Sequence, residues 1–142
     1  LYAPARDELW VGEQGRGATL NGLNVAAGNR QTLSGARVPA HELPRVDRDL
    51  TKVFQPNSIA LRMAMVASDQ ADLVATLRWG FEWDIAAATL IAAEAGAVVT
   101  DAFGQPLAFN TRRAQAFGVL ASVPGIHAAA VERLAERARA IA

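Results

Sequence analysis

The sequence has no cysteine and only two histidines among its 142 residues. The absence of cysteine excludes disulfide bonds, a thiolate nucleophile and thiolate metal ligands. Lys+Arg and Asp+Glu both number 14, so no excess charge favours a nucleic acid or a polyanionic surface as partner. No apolar run approaches the roughly 20 residues of a membrane span, and no signal-peptide pattern opens the chain. We therefore expect a cytoplasmic protein without a membrane or nucleic-acid partner, in which any metal site uses oxygen or histidine ligands.

Hydrophobic residues make up 51% of the chain, which is enough for the packed core of one domain. After residue 50, apolar segments typical of strands alternate with segments typical of buried helices. This alternation predicts an α/β fold with a layered sheet. We expect residues 1–50 to form the end of an antiparallel sheet and a linker, and residues 51–142 to form an α/β subdomain.

The first 25 residues favour an antiparallel meander. Residues 8–13 are predicted as a strand, residues 14–17 as a turn, and a second strand begins at residue 18. Asn21-Gly22 is a strong hairpin signal because both residues tolerate a positive φ. No helix follows the nearby glycines, so we interpret them as turn residues rather than as a phosphate-binding loop.

A buried helix is predicted over residues 59–68, since its residues are apolar on nearly every side. Ser58 precedes it as a candidate N-cap. The free N–H groups of the same helix end would also suit an anion or a sugar-like hydroxyl. From the residues alone, capping and ligand binding are equally compatible with Ser58.

The segment Trp79–Thr100 organises the rest of the prediction. Asp84 precedes an alanine-rich run that ends at Gly96, a pattern that predicts a helix over residues 85–95 with Asp84 as N-cap and a strand over 97–101. Asp84 has a second interpretation. A carboxylate at a helix N-terminus is stabilised in its ionised form, which Mg²⁺ requires, and the neighbouring aromatic rings would shield such a site from water.

Further predictions concern the surface and the C-terminal part. Strands are expected over residues 71–77, 105–107 and 116–122, and a final helix begins at Pro124-Gly125. A helical turn is expected near residues 41–43. His41 and His127 are predicted to be surface residues rather than ligands, and residues 47–49 are predicted to be a solvated charge cluster.

The segment around Asp84 also resembles a known family. Its residues Trp83-Asp84-Ile85-Ala86-Ala87-Ala88 and Glu94-Ala95-Gly96-Ala97 are similar to the Trp-Asp-x-Ala-Ala-Gly…Glu-Ala-Gly-Gly signature of the inositol monophosphatase-like, Mg²⁺-dependent phosphatases. Flanking segments resemble that family in the same order: Leu1-Tyr2-Ala3-Pro4, Gly15-Arg16-Gly17-Ala18 with Asn21-Gly22, and Ser58 through Leu73.

The resemblance implies the layered αβαβα fold of this family and direct, metal-assisted hydrolysis of a phosphomonoester. It further implies that Asp84 is a Mg²⁺ ligand and a catalytic residue that helps to orient the attacking water. Asn57, Ser58 and Ile59 match residues that contact the substrate beyond its phosphate. Glu82, close to the family's acidic contact but out of register with it, is assigned to the substrate as well.

Two features depart from the family pattern. The acidic substrate-contact residue of true inositol monophosphatases is replaced by Thr76 or Leu77. This replacement counts against inositol phosphate specificity and favours the subgroup similar to 3′-phosphoadenosine-5′-phosphate phosphatases. In addition, Ala88 and Ala97 replace two glycines of the signature, which is a mild change. A homodimer is expected by analogy alone.

The family's Asp-Pro-Ile/Leu-Asp-Gly-Thr motif and Gly-Glu-Glu/Asp segment, which supply most of the metal ligands, do not occur in this sequence. We therefore expect the chain to be the C-terminal half of a longer enzyme and to be inactive by itself. The alternatives are a non-catalytic α/β fragment, or a unit for small-molecule binding or dimerisation that lacks the main metal site.

Overall fold

A computed structural model describes the whole chain, residues 1–142. The strands are β1 (Tyr2–Ala3), β2 (Glu8–Glu13), β3 (Gly17–Leu20), β4 (Leu23–Val25), β5 (Arg37–Pro39), β6 (Thr51–Val53), β7 (Leu73–Phe81), β8 (Val98–Thr100) and β9 (Gln115–Ser122). The helices are α1 (Ile59–Ala67), α2 (Glu82–Glu94) and α3 (His127–Ile141). None of these helices is both long and apolar enough to cross a membrane.

Strands β1 to β4 form the predicted antiparallel meander. The turn between β3 and β4 is Asn21-Gly22, with φ values of 49° and 79°. These positive values are those that a two-residue hairpin of this sequence requires, because they match the twist of the flanking strands. The hairpin prediction is confirmed.

A second antiparallel sheet has the order β7-β9-β8, with the buried strand β9 at its centre. The register between β7 and β9 shifts between Thr76 and Trp79. At this bulge the backbone N–H of Val119 donates to the Thr76 hydroxyl at 3.0 Å instead of to a backbone carbonyl. Bulges of this kind bend a strand and redirect its side chains. The bulge therefore changes which side chains at the end of β7 face the solvent.

Helices α1 and α2 pack against each other and separate the two sheets. Helix α2 contacts β2 and β3 of the meander as well as β8 and β9 of the second sheet. The approach to the meander is close, because a Cβ placed on Gly12 would lie 3.0 Å from the Ile91 Cα atom. Helix α3 packs on β7 and β9 instead. The layered α/β architecture and the burial of α1 are thus as predicted.

Two hydrogen bonds attach the far end of α2 to the meander. The Glu94 carboxylate accepts from the backbone N–H groups of Gly15 and Gly17, at 3.0 and 2.9 Å. These two bonds lower the pKa of Glu94. The glutamate of the signature therefore joins the helix to the turn between β2 and β3.

Strands β5 and β6 form a parallel pair that joins residues on either side of the predicted boundary at residue 50. That boundary remains a prediction. The predicted helical turn at residues 41–43 is wrong, since a 3₁₀ turn forms at Arg45–Asp47 instead. The predicted strand at residues 105–107 is wrong as well. Residues 101–104 turn, with the Asp101 carboxylate accepting from the Gln105 N–H at 2.8 Å, and no strand pairs with the residues that follow.

The prediction of a solvated charge cluster at residues 47–49 is correct for Arg48 and Asp49, which are exposed, but wrong for Asp47. Asp47 is buried and accepts two hydrogen bonds from Arg137, at 2.7 and 3.1 Å. Asp49 accepts two from Arg133, at 2.8 and 3.0 Å. Both arginines belong to α3, so these aspartates hold the last helix to the loop before β6.

A buried ion cluster, the Asp72 cluster of Asp72, Arg30 and Arg37, lies at the start of β7. The Asp72 side chain is only 2% exposed. Its carboxylate accepts from the Arg30 Nε at 3.0 Å, from the Arg37 backbone N–H at 2.8 Å and from the Arg37 guanidinium at 3.0 and 2.7 Å. Burial opposes ionisation of Asp72, but the hydrogen bonds and positive charge of the arginines outweigh it, so its pKa is lowered.

Candidate functional site

The N-terminal ends of α1 and α2 come together at the end of β7. Helix α1 begins at Ile59, and the Ser58 hydroxyl accepts from the Leu61 N–H at 3.2 Å. Ser58 is therefore an N-cap, as its position before the apolar run predicts. Asn57 and Ser58 are exposed and Ile59 is half-buried.

Asp84 is not the N-cap of α2, and this prediction is wrong. The helix begins at Glu82, two residues earlier, and its N-cap is Phe81 in an extended conformation, with no side-chain cap. Strand β7 runs directly into α2, so the chain needs no capping aspartate at residue 84. Asp84 lies instead in the first helical turn, exposed, without an ion pair and with no hydrogen bond to its carboxylate from within the chain. Both oxygens are free for a ligand.

These two helix ends border a cavity of about 360 Å³, which we call the Asp84 cavity. Its lining residues are Asn57, Ser58, Ile59, Arg62, Arg78 and Asp84. A second space of about 230 Å³ adjoins it and shares Ile59, Arg78 and Asp84 with it. Four of the five residues predicted as site residues thus line one cavity.

Glu82, the fifth predicted site residue, does not line this cavity. It is 5% exposed. Its carboxylate accepts from the Thr111 N–H at 3.3 Å and from the Thr111 hydroxyl. Because both oxygens face Thr111 inside the protein, Glu82 holds the loop before β9 and is not available to a substrate. We therefore no longer assign Glu82 to the substrate.

Arg62 and Arg78 are the cavity residues that the sequence prediction missed. Arg62 follows Ser58 by one helical turn, so α1 presents it beside its own N-terminus. Arg78 lies in the bulge of β7, next to Thr76, which lines the adjoining space. The spacing from Ser58 is a signal that could have identified Arg62. Gly118, with a φ of 71°, lies opposite the bulge that places Arg78, and a glycine inside a strand pattern is a signal for such a bulge.

Aromatic side chains border the same region. Trp79 and Phe81 line the adjoining space, and Trp83 lies beyond it. All three are exposed, and the rings of Phe81 and Trp83 stack with centroids 4.4 Å apart. The predicted shielding of Asp84 is incomplete, because these rings lie on the outer surface of the chain.

The histidines lie elsewhere. His41 is exposed as predicted. His127 is half-buried rather than a surface residue, because its Nδ1 lies 2.8 Å from the Ser122 hydroxyl and its Nε2 lies 3.1 Å from the Thr100 hydroxyl. Burial lowers the pKa of His127.

No three acidic or histidine side chains are grouped closely enough to hold a metal ion by themselves. Asp84 is the one carboxylate that the Asp84 cavity offers. This donor set is compatible with Mg²⁺, which commonly takes one or two protein carboxylates and completes its shell with waters and phosphate oxygens. Asp84 fits such a site as a single ligand.

Known proteins are similar to this chain in sequence and in fold. A family model described as "Inositol monophosphatase family" matches residues 1–141. Inositol monophosphatase 2 of Solanum lycopersicum is 32% identical over 131 residues, which are 82% of this chain and 49% of that protein. The putative Nus factor SuhB of Neisseria meningitidis is 35% identical over 118 residues, 74% of this chain and 45% of that protein.

Among solved structures, the IMPase of Thermotoga maritima superposes with a TM-score of 0.83 at 26% identity, over 99% of this chain and 56% of that one. The inositol monophosphatase of Anabaena superposes with a TM-score of 0.79, also at 26% identity, over 95% of this chain and 57% of that one. The chain spans about half the length of the relatives it matches. The match over residues 1–141 and the shared fold establish that this chain belongs to the inositol monophosphatase family.

Proposed function

We propose that this chain is the C-terminal half of a Mg²⁺-dependent phosphomonoesterase that hydrolyses a small phosphorylated metabolite. Two substrates are candidates: 3′-phosphoadenosine-5′-phosphate and an inositol monophosphate. The observation that carries the proposal is the free carboxylate of Asp84 in a cavity shared with Asn57, Ser58 and Ile59. Membership in a family whose named relatives include inositol monophosphatases supports the same reaction.

The chain's own contribution to catalysis is to position charge and substrate. Asp84 would hold Mg²⁺ from the first turn of α2, where its carboxylate is exposed and has no partner within the chain. When bound, Mg²⁺ would polarise the phosphate, lower the pKa of a bound water and neutralise charge on the leaving oxygen. Asn57, Ser58 and Ile59 would orient the rest of the substrate. The remaining metal ligands would come from the part of the protein outside residues 1–142.

The experiment is a substitution in the full-length protein. Asp84→Asn keeps the size of the side chain but removes its charge, so Mg²⁺-dependent phosphate release should fall by roughly 100-fold or more. Asp7→Asn is the matched control, because Asp7 is exposed and lies outside both cavities. We expect it to leave the rate unchanged.

An Asp84→Asn enzyme that retains the wild-type rate over a range of Mg²⁺ concentrations would disprove the metal role of Asp84. A wild-type protein that releases no phosphate from either candidate substrate would instead contradict the proposed reaction. The homodimer expected from the family is also a proposal. Sedimentation equilibrium of the full-length protein tests it directly, and a monomer at micromolar concentration would contradict it.

A further inference from the structure

Arg62 differs from the other arginines that are partly buried. Arg30, Arg37, Arg133 and Arg137 each lie within ion-pair distance of an aspartate. Arg62 is also half-buried but has no carboxylate partner, and its only hydrogen bond runs from Nε to the Pro56 carbonyl, at 3.0 Å. A buried charge is normally paired, because removing it from water without a partner is costly. The missing partner of Arg62 therefore requires an explanation.

Arg78 adds a second unpaired cation to the same place. Its side chain is exposed and forms no ion pair and no hydrogen bond within the chain, and it lines the Asp84 cavity together with Arg62. Burial, and to a lesser extent the charge of Arg78, lower the pKa of Arg62. The cavity therefore offers two positive charges that have no acidic partner within the chain.

Asp84 does not supply the missing negative charge. It lines the cavity, but neither arginine is within ion-pair distance of its carboxylate. Once Asp84 holds a metal ion, its charge is neutralised there as well, and the two guanidinium groups remain uncompensated. The other lining residues, Asn57, Ser58 and Ile59, carry no charge. A negative charge that pairs with Arg62 and Arg78 would therefore have to come from outside residues 1–142.

We propose that Arg62 and Arg78 bind a second anionic group of the substrate. On the proposed function, the substrate would then be a phosphomonoester that carries a further phosphate or carboxylate, rather than a neutral polyol monophosphate. Guanidinium groups suit this role because their fixed donors match phosphate and carboxylate oxygens in pairs. The two arginines would act as specificity residues, distinct from Asp84 at the reacting phosphate.

The test compares two substrates that differ only in the second anionic group. The bisphosphate 3′-phosphoadenosine-5′-phosphate carries this group, and adenosine 3′-monophosphate lacks it. In the full-length wild-type protein we expect kcat/KM to favour the bisphosphate by about tenfold or more, mainly through KM, as for a charge-assisted contact to a non-reacting group. Equal kcat/KM values for the two compounds would overturn the proposal, because the arginines would then discriminate nothing.

Substitutions show whether Arg62 and Arg78 cause the preference for the bisphosphate. Arg62→Gln and Arg78→Gln should each lower kcat/KM for the bisphosphate by about tenfold and leave the monophosphate nearly unchanged. Arg48→Gln is the matched control, since Arg48 is exposed, unpaired and outside both cavities, and should alter neither value. An equal loss on both substrates would overturn the proposal, because the arginines would then act on the reacting phosphate or on folding.

Arg62→Lys separates charge from the contact with Pro56. Lysine keeps the positive charge but replaces the Nε donor, so we expect it to restore part of the bisphosphate preference. A loss as large as that of Arg62→Gln would attribute the effect to the Pro56 contact and overturn the role of Arg62.

Calorimetric binding of the same two compounds gives a readout that does not depend on turnover. If the wild-type protein hydrolyses neither these two compounds nor an inositol monophosphate, the proposed reaction fails. The anion site still stands if the bisphosphate binds about tenfold more tightly than the monophosphate and Arg62→Gln removes the difference. Equal binding of the two compounds would overturn it.

Discussion

The Asp72 cluster and the Asp84 cavity lie at opposite ends of β7, and each brings one aspartate near two arginines, with Asp69 as a further partner of Arg37 in the Asp72 cluster. In the Asp72 cluster the carboxylate accepts four hydrogen bonds from Arg30 and Arg37. In the Asp84 cavity the carboxylate and both guanidinium groups are unpaired. The two sites differ mainly in whether their charged groups have partners within the chain. A charged group whose partners lie within the chain stabilises the fold, whereas one left without partners is available to a ligand.

The largest effect that tests this contrast is on stability. Asp72→Asn should lower the free energy of unfolding by about 3 kcal/mol, because it removes the counter-ion of Arg30 and leaves Arg37 with Asp69 as its one acidic partner. The value is at the low end for a buried pair, since the Arg30 and Arg37 side chains are 35% and 33% exposed. Denaturant unfolding measures the loss.

Asp84→Asn is the matched control for that measurement. Asp84 has no partner within the chain, so the change in unfolding free energy should stay within about 0.5 kcal/mol. Comparable losses for the two variants would contradict the division between a structural and a functional aspartate.

Glu82 sharpens the comparison, because it lies only two residues from Asp84 and yet has its partner inside the protein. Glu82→Ala should destabilise the protein by about 2 kcal/mol, since the Thr111 N–H and hydroxyl lose their acceptor. Glu82→Gln keeps one acceptor oxygen and should cost less than half as much. Thermal unfolding of both variants checks the ranking. A stable Glu82→Gln protein with a large rise in KM would instead restore Glu82 as a substrate contact.

His127 gives the smallest effect and a pH dependence. Its folded-state pKa lies below the ordinary value near 6.5, so the unfolded chain binds the proton more readily. The contribution of His127 is therefore complete above that value and decreases as the pH falls through the folded-state pKa. We expect a loss of less than about 1 kcal/mol between pH 7.5 and 5.5. His127→Gln should lack this component, and an identical pH profile in the two proteins would contradict the assignment.

Much of the fold follows from local chemistry. Asn21-Gly22 specified its hairpin and Ser58 specified the start of α1, because in each case the side chain or the backbone freedom of one or two residues determines the geometry. The buried character of α1 followed from its apolar composition. The family signature around Asp84 indicated the correct family.

The parts that could not be predicted depend on contacts between distant segments. Asp84 satisfies the rule for an N-cap, but the helix begins earlier because β7 continues without a loop as far as Phe81. Arg78 reaches the cavity through a bulge opposite Gly118, and the sequence does not show that β7 pairs with β9 at this point. Likewise, the partners of Asp47 and Asp72 lie 90 and 35 residues away in the chain. A sequence pattern contains no record of such pairs.

The hydrogen bonds from Gly15 and Gly17 to Glu94 connect the meander with helix α2, whose other end borders the Asp84 cavity. Glu94 is the last residue of α2 and Asp84 lies in its first turn, so the helix is a rigid rod of 13 residues between the hairpin turn and the cavity. Over a length of about 20 Å, a small tilt at one end displaces the other by a fraction of an ångström or more. Catalytic groups tolerate little misplacement. On the proposed function, the turn between β2 and β3 would therefore help to fix the position of the Asp84 carboxylate.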